Sequence, residues 1–587
     1  MSIKTFQPLP LLERWVQENN ELVNKWKEQV GGGDQSQTHL RCCSSEFHKL
    51  LRKIQGIPPL ADHTQLELTV VYNACVFFTA QSQFSEAELL LKQFTERVLQ
   101  VHSSSTEDDP AASDPHLLWR TVLKSVGNTA LAPCVLRLLC LQWAIWLSTC
   151  QLKTIQEFQN ELMSVFERLS TEVLDKGRKS SDDPLLVMDP RKLVELLQIC
   201  TYIAQGSESL SEGQSSEALS ALHTASSLPA PRTLIAYTHL LSGSCLAHMG
   251  RPHMALQCYM KALETDRRCV CALYRSMLIY RQLGNTQAEI QALRLLQSTL
   301  MLPSATEPPT DLLSPSLLLR SQSLSSMLSV PSALSILHNL ALKCVLHGRV
   351  SEGVEYYLDL LAALQSEDQH GMHAGSPPLP RLPELYLQAG AALLMAQRPA
   401  DCVALCDEVI TTTLELLPER VVLEEPDEEC EAGSRALSGG GEDRVGMLLW
   451  TAAAYLLQGH CNTHLKDWKQ AVTHYARCFN LLVKVRFKKK GFQPQIPSAD
   501  MVGKQGTDLC VLQRLKGLSL ACRGISFTQT DQLREALRDL QLSLQAFPEC
   551  ATAGLWCGEV LWRLGRRREA AACWENTWSF TSQSSEE

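Results

Sequence analysis

The sequence predicts an all-α fold in which helix pairs stack as a superhelical repeat solenoid, preceded by an N-terminal helical region. Three observations predict it. Two long proline-free stretches, 134–183 and 427–493, carry apolar residues three and four positions apart, which is the helical period. No segment alternates convincingly between apolar and polar residues, as a half-buried strand would. Small residues recur every 34 to 37 positions, a spacing typical of repeats built from one helix pair.

The composition argues against several classes of protein. The 587 residues include 54 Lys and Arg against 63 Asp and Glu, so the formal charge is −9. A protein that coats nucleic acid through bulk charge would be strongly basic. The apolar share of 45% supplies a large core, and the N-terminus shows no apolar secretory segment. We therefore expect a soluble intracellular protein whose 22 cysteines are reduced and mostly buried.

Proline, glycine and charge runs divide the chain into helical stretches and connections. Residues 1–180 are either a set of degenerate repeats or a separate helical cap. The predicted plan is an N-terminal helical region over 1–180, helix-pair repeats over 186–302, a Ser/Pro-rich linker over 303–331, repeats over 332–422, an acidic and Gly-rich linker over 423–443, a repeat over 444–485, a basic and polar loop over 486–507, and C-terminal repeats over 508–580.

The repeat is clearest in two pairs of copies. In the first pair, one copy contains Gly206, Gly213, Ala218, Leu222 and Ala225, and 37 positions later the next contains Gly243, Gly250, Ala255, Tyr259 and Ala262, with Leu246 in addition. In the second pair, Gly524, Ala536, Leu540 and Ser543 are followed after 34 positions by Gly558, Ala570 and Trp574, with Leu561 and Gly565. Weaker copies cover 270–299, 334–364, 383–412 and 452–482.

These positions match the tetratricopeptide pattern, and packing explains the residue types. Two antiparallel helices approach closely only where a facing side chain is small, and a large residue nearby fills the adjoining space. Gly213 and Gly250 fall in the predicted turn between the helices, where a positive φ is needed. A generic helical bundle with chance Gly and Ala spacing is the alternative, and two independent repeating pairs disfavour it.

No arrangement of residues predicts catalysis, a metal or a cofactor. His460 and His464 share one helix face, but Cys461 stands where a zinc protease needs glutamate. Cys402 and Cys406 occupy packing positions of a repeat, so core thiols are the better interpretation. The sequence contains no phosphate-binding loop and no nucleophile elbow. An enzyme hidden within residues 1–180 is the disfavoured alternative, because no acid–base or nucleophile signature appears there.

A basic run is the sharpest charge feature of this acidic chain: Lys484, Arg486, Lys488, Lys489 and Lys490. It indicates either a nuclear-import signal or polyanion contact, or an exposed helix end whose cations complement the helix dipole. Both interpretations stay open. Ser376, which precedes two prolines in a predicted linker, is a candidate phosphorylation site.

Several segments resemble the Fanconi anemia group G family, in the same order over residues 10–570. They include LPLLERWVQENNELV, GIPPLADHTQLELTVVYN, LQWAIWLS, LSGSCLAHMGRPHMALQCYMKALE, LYRSMLIYRQLGNTQAEIQALRLL, EYYLDLLAAL and LLQGHCNTHLKDWKQAVTHYARCFNLL.

The resemblance implies a non-enzymatic adaptor found in the nucleus and also in the cytoplasm. Such a protein belongs to the Fanconi core complex, a multisubunit ubiquitin ligase of DNA interstrand-crosslink repair, and binds and stabilises the group A subunit. The resemblance also implies a Ser/Pro-rich loop at Ser376, consistent with regulatory phosphorylation. The alternative function is a repeat protein that also contacts DNA directly through the basic run at 484–490.

Overall fold

The computed structural model describes most of the chain in two compact units, Met1–Val330 and Pro331–Glu587. The described residues are 10–30, 37–56, 61–102, 115–126, 129–165, 168, 184–301, 312–367, 379–417, 421–424, 439–488 and 504–583. Within them, the predicted all-α class of antiparallel helix pairs is confirmed, with one small exception given below. The predicted domain boundaries remain a prediction.

Unit 1 contains these helices: α1 Leu11–Val30, α2 Gln37–Gln55, α3 Ala61–Ala80, α4 Phe84–His102, α5 Pro115–Val126, α6 Ala132–Ser148, α7 Leu152–Glu157, α8 Pro190–Ser211, α9 Ser215–Ser226, α10 Arg232–His248, α11 Pro252–Thr265, α12 Val270–Gln282, α13 Thr286–Met301, α14 Pro315–Leu318 and α15 Gln322–Leu328. Its repeats are the pairs α8/α9, α10/α11 and α12/α13. Gly213 and Gly250 join the helices of the first two pairs at φ +84° and +71°, a conformation that costs glycine least.

A buried amide network ties the N-terminal helices to the chain that leads into the repeats. Asn19 on α1 and Asn73 on α3 have no exposed surface. The Asn73 side chain donates to Asn19 Oδ1 and to the Leu185 carbonyl, both at 3.0 Å, and accepts from the Val187 amide at 2.9 Å. The extended residues before α8 thus obtain hydrogen bonds that no helix or sheet supplies them. Asp189 then caps α8 by accepting from the Arg191 amide.

The predicted Ser/Pro-rich linker over 303–331 needs correction, because its second half contributes to the core of unit 1. Residues 312–329, here called the strap, include α14 and α15, which pack on α6 and α8. Leu313, Leu318 and Leu324 of the strap have no exposed surface. Serines and prolines predicted a solvated connection, but these leucines find apolar partners far away in sequence and their burial orders the segment.

Unit 2 contains these helices: α16 Ala333–Leu346, α17 Val350–Glu367, α18 Leu382–Met395, α19 Pro399–Leu414, α20 Gly439–His464, α21 Trp468–Val483, α22 Lys504–Gln529, α23 Leu533–Ala546, α24 Ala551–Arg563 and α25 Arg567–Gln583. They form the pairs α16/α17, α18/α19, α20/α21, α22/α23 and α24/α25. Pro399 begins α19, and Asp467 caps α21 by accepting from the Gln470 amide.

Two short strands are a small exception to the all-α class within the described residues. In unit 2, β1 (Val421–Glu424) pairs in parallel with β2 (Val485–Lys488), with Val421 opposite Val485. Four residues are too few to show a period of two, and the pairing partners are far apart in sequence. The second strand also interrupts the proline-free stretch 427–493 that was predicted to be helical.

Among the helices of the described chain, none is by itself both long and apolar enough to cross a bilayer. A bent pair, Gln322–Leu328 with Ala333–Leu346, meets that test by length and composition only.

Candidate partner-binding face

The predicted small residues lie where the two helices of a pair approach each other. A Cβ added to Gly243 would stand 2.5 Å from Tyr259 Cε1, and one added to Gly206 would stand 2.9 Å from Leu222 Cγ. Gly524 faces Leu540 and Gly558 faces Trp574 in the same way. The remaining predicted packing positions are all buried: Ala218, Ala225, Leu246, Ala255, Tyr259, Ala262, Ala536 and Ala570.

The first helix of each pair therefore has one side committed to its partner and another side left for other contacts. In α8, Gly206 faces Leu222 of α9, whereas the next residue, Ser207, contacts the strap. First helices of successive pairs also lie side by side: α8 contacts α10, α10 contacts α12, α18 contacts α20, and α20 contacts α22. Within each unit, these helices form a continuous surface, here called the first-helix face. A surface of stacked repeats is the natural docking site for a partner segment.

In unit 1, the strap covers this face. Ser207 Oγ on α8 lies 3.4 Å from Ser321 Oγ and 3.5 Å from Ser323 Oγ. On α12, the Arg275 guanidinium donates to the carbonyls of Ser326 and Met327, at 3.3 and 3.1 Å. This contact was not predicted from the sequence, although leucines recur through the Ser-rich segment and could have indicated an apolar stripe.

In unit 2, polar and aromatic side chains connect neighbouring first helices. His338 Nε2 on α16 and Gln388 Oε1 on α18 are 2.8 Å apart. The Trp450 indole on α20 donates to Glu384 Oε1 on α18 at 3.3 Å, and the Arg381 guanidinium lies 5.6 Å from the centre of a Trp450 ring. Trp and Arg are enriched where proteins bind one another, because they combine apolar area with directed hydrogen bonds.

The histidine pair of α20 has two different environments. His460 is partly buried, and its Nδ1 lies 3.2 Å from the Tyr475 hydroxyl, whereas His464 is exposed. Burial, and next the neighbouring His464, lower the pKa of His460 below its ordinary value. The imidazole is therefore neutral at physiological pH and serves as a hydrogen-bond partner.

The repeat cysteines are core thiols. Cys402 and Cys461 have no exposed surface, and Cys406 is almost fully buried. A hydrogen bond with Cys406, together with burial, raises the pKa of Cys402 to about 12. Such a thiol stays protonated at neutral pH and is therefore a poor nucleophile. Over the described part of the chain, no group of three or more His, Cys, Asp or Glu residues is placed to hold a metal ion.

The basic run divides between a helix end and a strand. Lys484 follows the last turn of α21 and is exposed, whereas Arg486 and Lys488 belong to β2. The run is thus not a simple extension of one helix end, as one interpretation required. Lys489, Lys490 and the candidate phosphorylation site Ser376 lie outside the described residues.

Comparison with known proteins shows what the chain is similar to. The model of the Fanconi anemia group G protein N-terminal domain matches residues 9–185, and a tetratricopeptide repeat model matches residues 236–269. The chain is 29% identical over 582 residues to the mouse (Mus musculus) Fanconi anemia group G protein homolog, covering 97% of this chain and 90% of the relative. The chain is a relative of the Fanconi anemia group G protein. The predicted resemblance and the tetratricopeptide-repeat class are confirmed.

Solved repeat proteins align only loosely with this relative of the group G protein. The TPR2AB domain of yeast Sti1, in complex with a pHSP90 segment, shares 11% identity over 65% of this chain and 98% of its own, with a TM-score of 0.21. The apo form of the quorum sensor NprR from B. thuringiensis shares 10% identity over 75% and 97%, with a TM-score of 0.27. Scores this low do not define a common arrangement, so the register of the repeats rests on the chain's own helix pairs.

Proposed function

We propose that the chain is a non-enzymatic scaffold subunit of the Fanconi anemia core complex, acting in DNA interstrand-crosslink repair. In this proposal it works in the nucleus, where it binds and stabilises the group A subunit. The observation that carries the proposal is the match to the mouse group G homolog over 97% of the chain. The folded chain supports it by offering first-helix faces suited to a partner segment.

The unit 2 face is the better candidate for the group A subunit. Directly after Gly390 of α18, Ala391 is exposed, whereas the equivalent Ser207 after Gly206 in unit 1 is fully buried beside the strap. One helical turn after Ala391 on the same side of α18, Met395 is also exposed, at 56%. Apolar and small side chains on an accessible helix face provide the desolvated contacts on which binding energy concentrates.

Titration of a purified group A fragment into the purified chain tests the proposal. We expect a complex at micromolar concentration or below, seen by calorimetry and by co-elution in size-exclusion chromatography. The absence of a complex at tens of micromolar, with both proteins folded, would contradict the scaffold function. Nuclear localisation is tested separately by fractionating cells that carry the tagged chain.

A further inference from the structure

We propose that the strap is an internal ligand of the unit 1 first-helix face, and that a partner docks there only by displacing it. The partner chemistry follows from the strap itself. It is a short amphipathic segment with leucines spaced as Leu318, Leu324 and Leu328, and half of the residues between them are serines. The test below uses the chain's own peptide, so it succeeds or fails independently of the group A subunit.

From Arg320 onward, the strap crosses successive helices of unit 1 in the order of its own sequence. Arg320, at the centre of the strap, donates to Ser82 Oγ at 2.9 Å and lies 5.6 Å from the Phe84 ring centre, at the junction of α3 and α4. Its middle, at Ser321 and Ser323, reaches Ser207 on α8. Its end reaches α12, where the Leu328 carbonyl accepts from Cys271 Sγ at 2.8 Å. This linear path over several repeats is how a bound peptide occupies a repeat surface.

The anchors of the strap resemble those of a docked peptide. Leu318 and Leu324 are completely buried, and Leu328 packs against the core shared by α10, α11 and α12. The described polar contacts from the strap to the helices come from side chains such as Ser207 and Arg275 rather than from a backbone ladder. A set of apolar anchors with side-chain hydrogen bonds between them is typical of a helix held in a groove.

The strap helices are too short to be stable alone. α14 has four residues and α15 has seven, both well below the length at which isolated helices persist in water. Their order therefore depends on the surface beneath them, with one local aid from Ser321, which caps α15 by accepting from the Leu324 amide at 3.2 Å. A segment that folds only when it is docked unfolds when it is displaced.

A cluster of hydroxyl groups gives a specific way to release the strap. Ser207 is fully buried, and its hydroxyl lies within 3.5 Å of those of Ser321 and Ser323. Ser323 is half-buried, so a longer carboxylate side chain there would crowd these hydroxyls and lose part of its hydration, with only neutral groups as its described contacts. Ser325, on the same short helix, is exposed and accepts a carboxylate without contact. Ser323→Glu and Ser325→Glu therefore form a matched pair.

Hydrogen exchange of the full chain, read for residues 322–328, is the test. We expect Ser323→Glu to speed exchange of these amides at least tenfold while those of α8 and α23 stay protected, and Ser325→Glu to stay within twofold of the parent. A fluorescent peptide of residues 312–330 should bind Ser323→Glu at least tenfold more tightly than the parent. Equal exchange in all three chains, with the strap as protected as α8, would overturn the proposal.

A second experiment adds the strap peptide to the unsubstituted chain. It tests the proposal even if Ser323→Glu also destabilises α8. Excess unlabelled 312–330 peptide should trap the open face and speed exchange of the chain's own residues 322–328, without changing exchange in α23. If a large excess of peptide leaves that exchange unchanged, the strap is a permanent part of the core and the proposal is wrong.

Discussion

Gly243 and Tyr259 show how single residues set the distance between paired helices. The glycine leaves space that the tyrosine ring fills, and the tyrosine is 2% exposed. The same arrangement occurs in unit 2, where the Tyr475 ring fills the space beside Gly459. Because the large residue lies 16 positions after the glycine in both pairs, this register was predictable from local spacing alone.

Gly243→Ala should destabilise unit 1 by about 1–3 kcal/mol, because the new methyl group overlaps the Tyr259 ring and overpacking exceeds the gain in helix propensity. The control is Gly446→Ala on α20, where the methyl group would meet Trp450 at an ordinary 3.6 Å. That variant should be neutral or more stable by up to about 1 kcal/mol. Urea unfolding of both variants measures the difference, and equal stabilities would contradict the close approach.

Asp539→Ala should cost about 3 kcal/mol, because it leaves Arg523 without its carboxylate in a largely buried position. The two oxygens of Asp539 accept from Arg523 Nε and an Arg523 terminal nitrogen at 2.6 and 2.8 Å. Glu569→Ala removes an exposed partner of Arg566 and should cost less than about 1 kcal/mol. Denaturant midpoints of the two variants measure both costs. A cost for Asp539→Ala no larger than that of Glu569→Ala would show that the Arg523–Asp539 ion pair contributes little to stability.

At the scale of elements, some of the fold was predictable and some was not. Helix pairs such as α10/α11 are encoded within about 34 residues, so their small residues and turn glycine appear in one window of sequence. The strap depends on partners such as Ser207, which lies 114 positions before Ser321. The residues adjoining the strap in sequence therefore could not predict that contact. The β1–β2 pair joins four-residue strands from either side of two helices, so local periodicity could not predict it either.

The α20/α21 pair should lose stability as pH falls, because His460 is held neutral in the fold. The folded pKa of His460 lies below its unfolded value of about 6.5. Its contribution is therefore fully present above that pH and is lost as pH falls through the folded pKa. His460→Gln keeps a polar partner for Tyr475 but cannot titrate, so its stability should fall less than the parent's between about pH 7.5 and 5.5.

Thermal unfolding of unit 2 helices over this pH range measures the effect. Tyr475→Phe is the control, because it removes the hydroxyl but leaves the imidazole partly buried, so the pH dependence of the parent should persist. Identical pH profiles for the parent and His460→Gln would show that His460 titrates alike in the folded and unfolded chains.

At the scale of the whole molecule, the two units offer first-helix faces in different states. The strap occupies the face of unit 1, whereas α18 in unit 2 presents an exposed Ala391. The basic run at 484–490 is a separate candidate for DNA contact. Replacing Lys488, Lys489 and Lys490 by glutamate reverses their charge and should abolish any DNA affinity that shows a steep salt dependence. Unchanged affinity and salt dependence after that reversal would exclude the run as a DNA site.

The most direct measurement of the central claim compares two arginine substitutions on one helix pair. Ala391 is exposed on the first helix α18 and Ala404 is exposed on the second helix α19, so neither Ala391→Arg nor Ala404→Arg should change the melting temperature. Calorimetric titration with the group A fragment should show at least tenfold weaker binding for Ala391→Arg and parental binding for Ala404→Arg. Parental binding for both variants, or loss only with Ala404→Arg, would show that partners do not dock on the first-helix face of this pair.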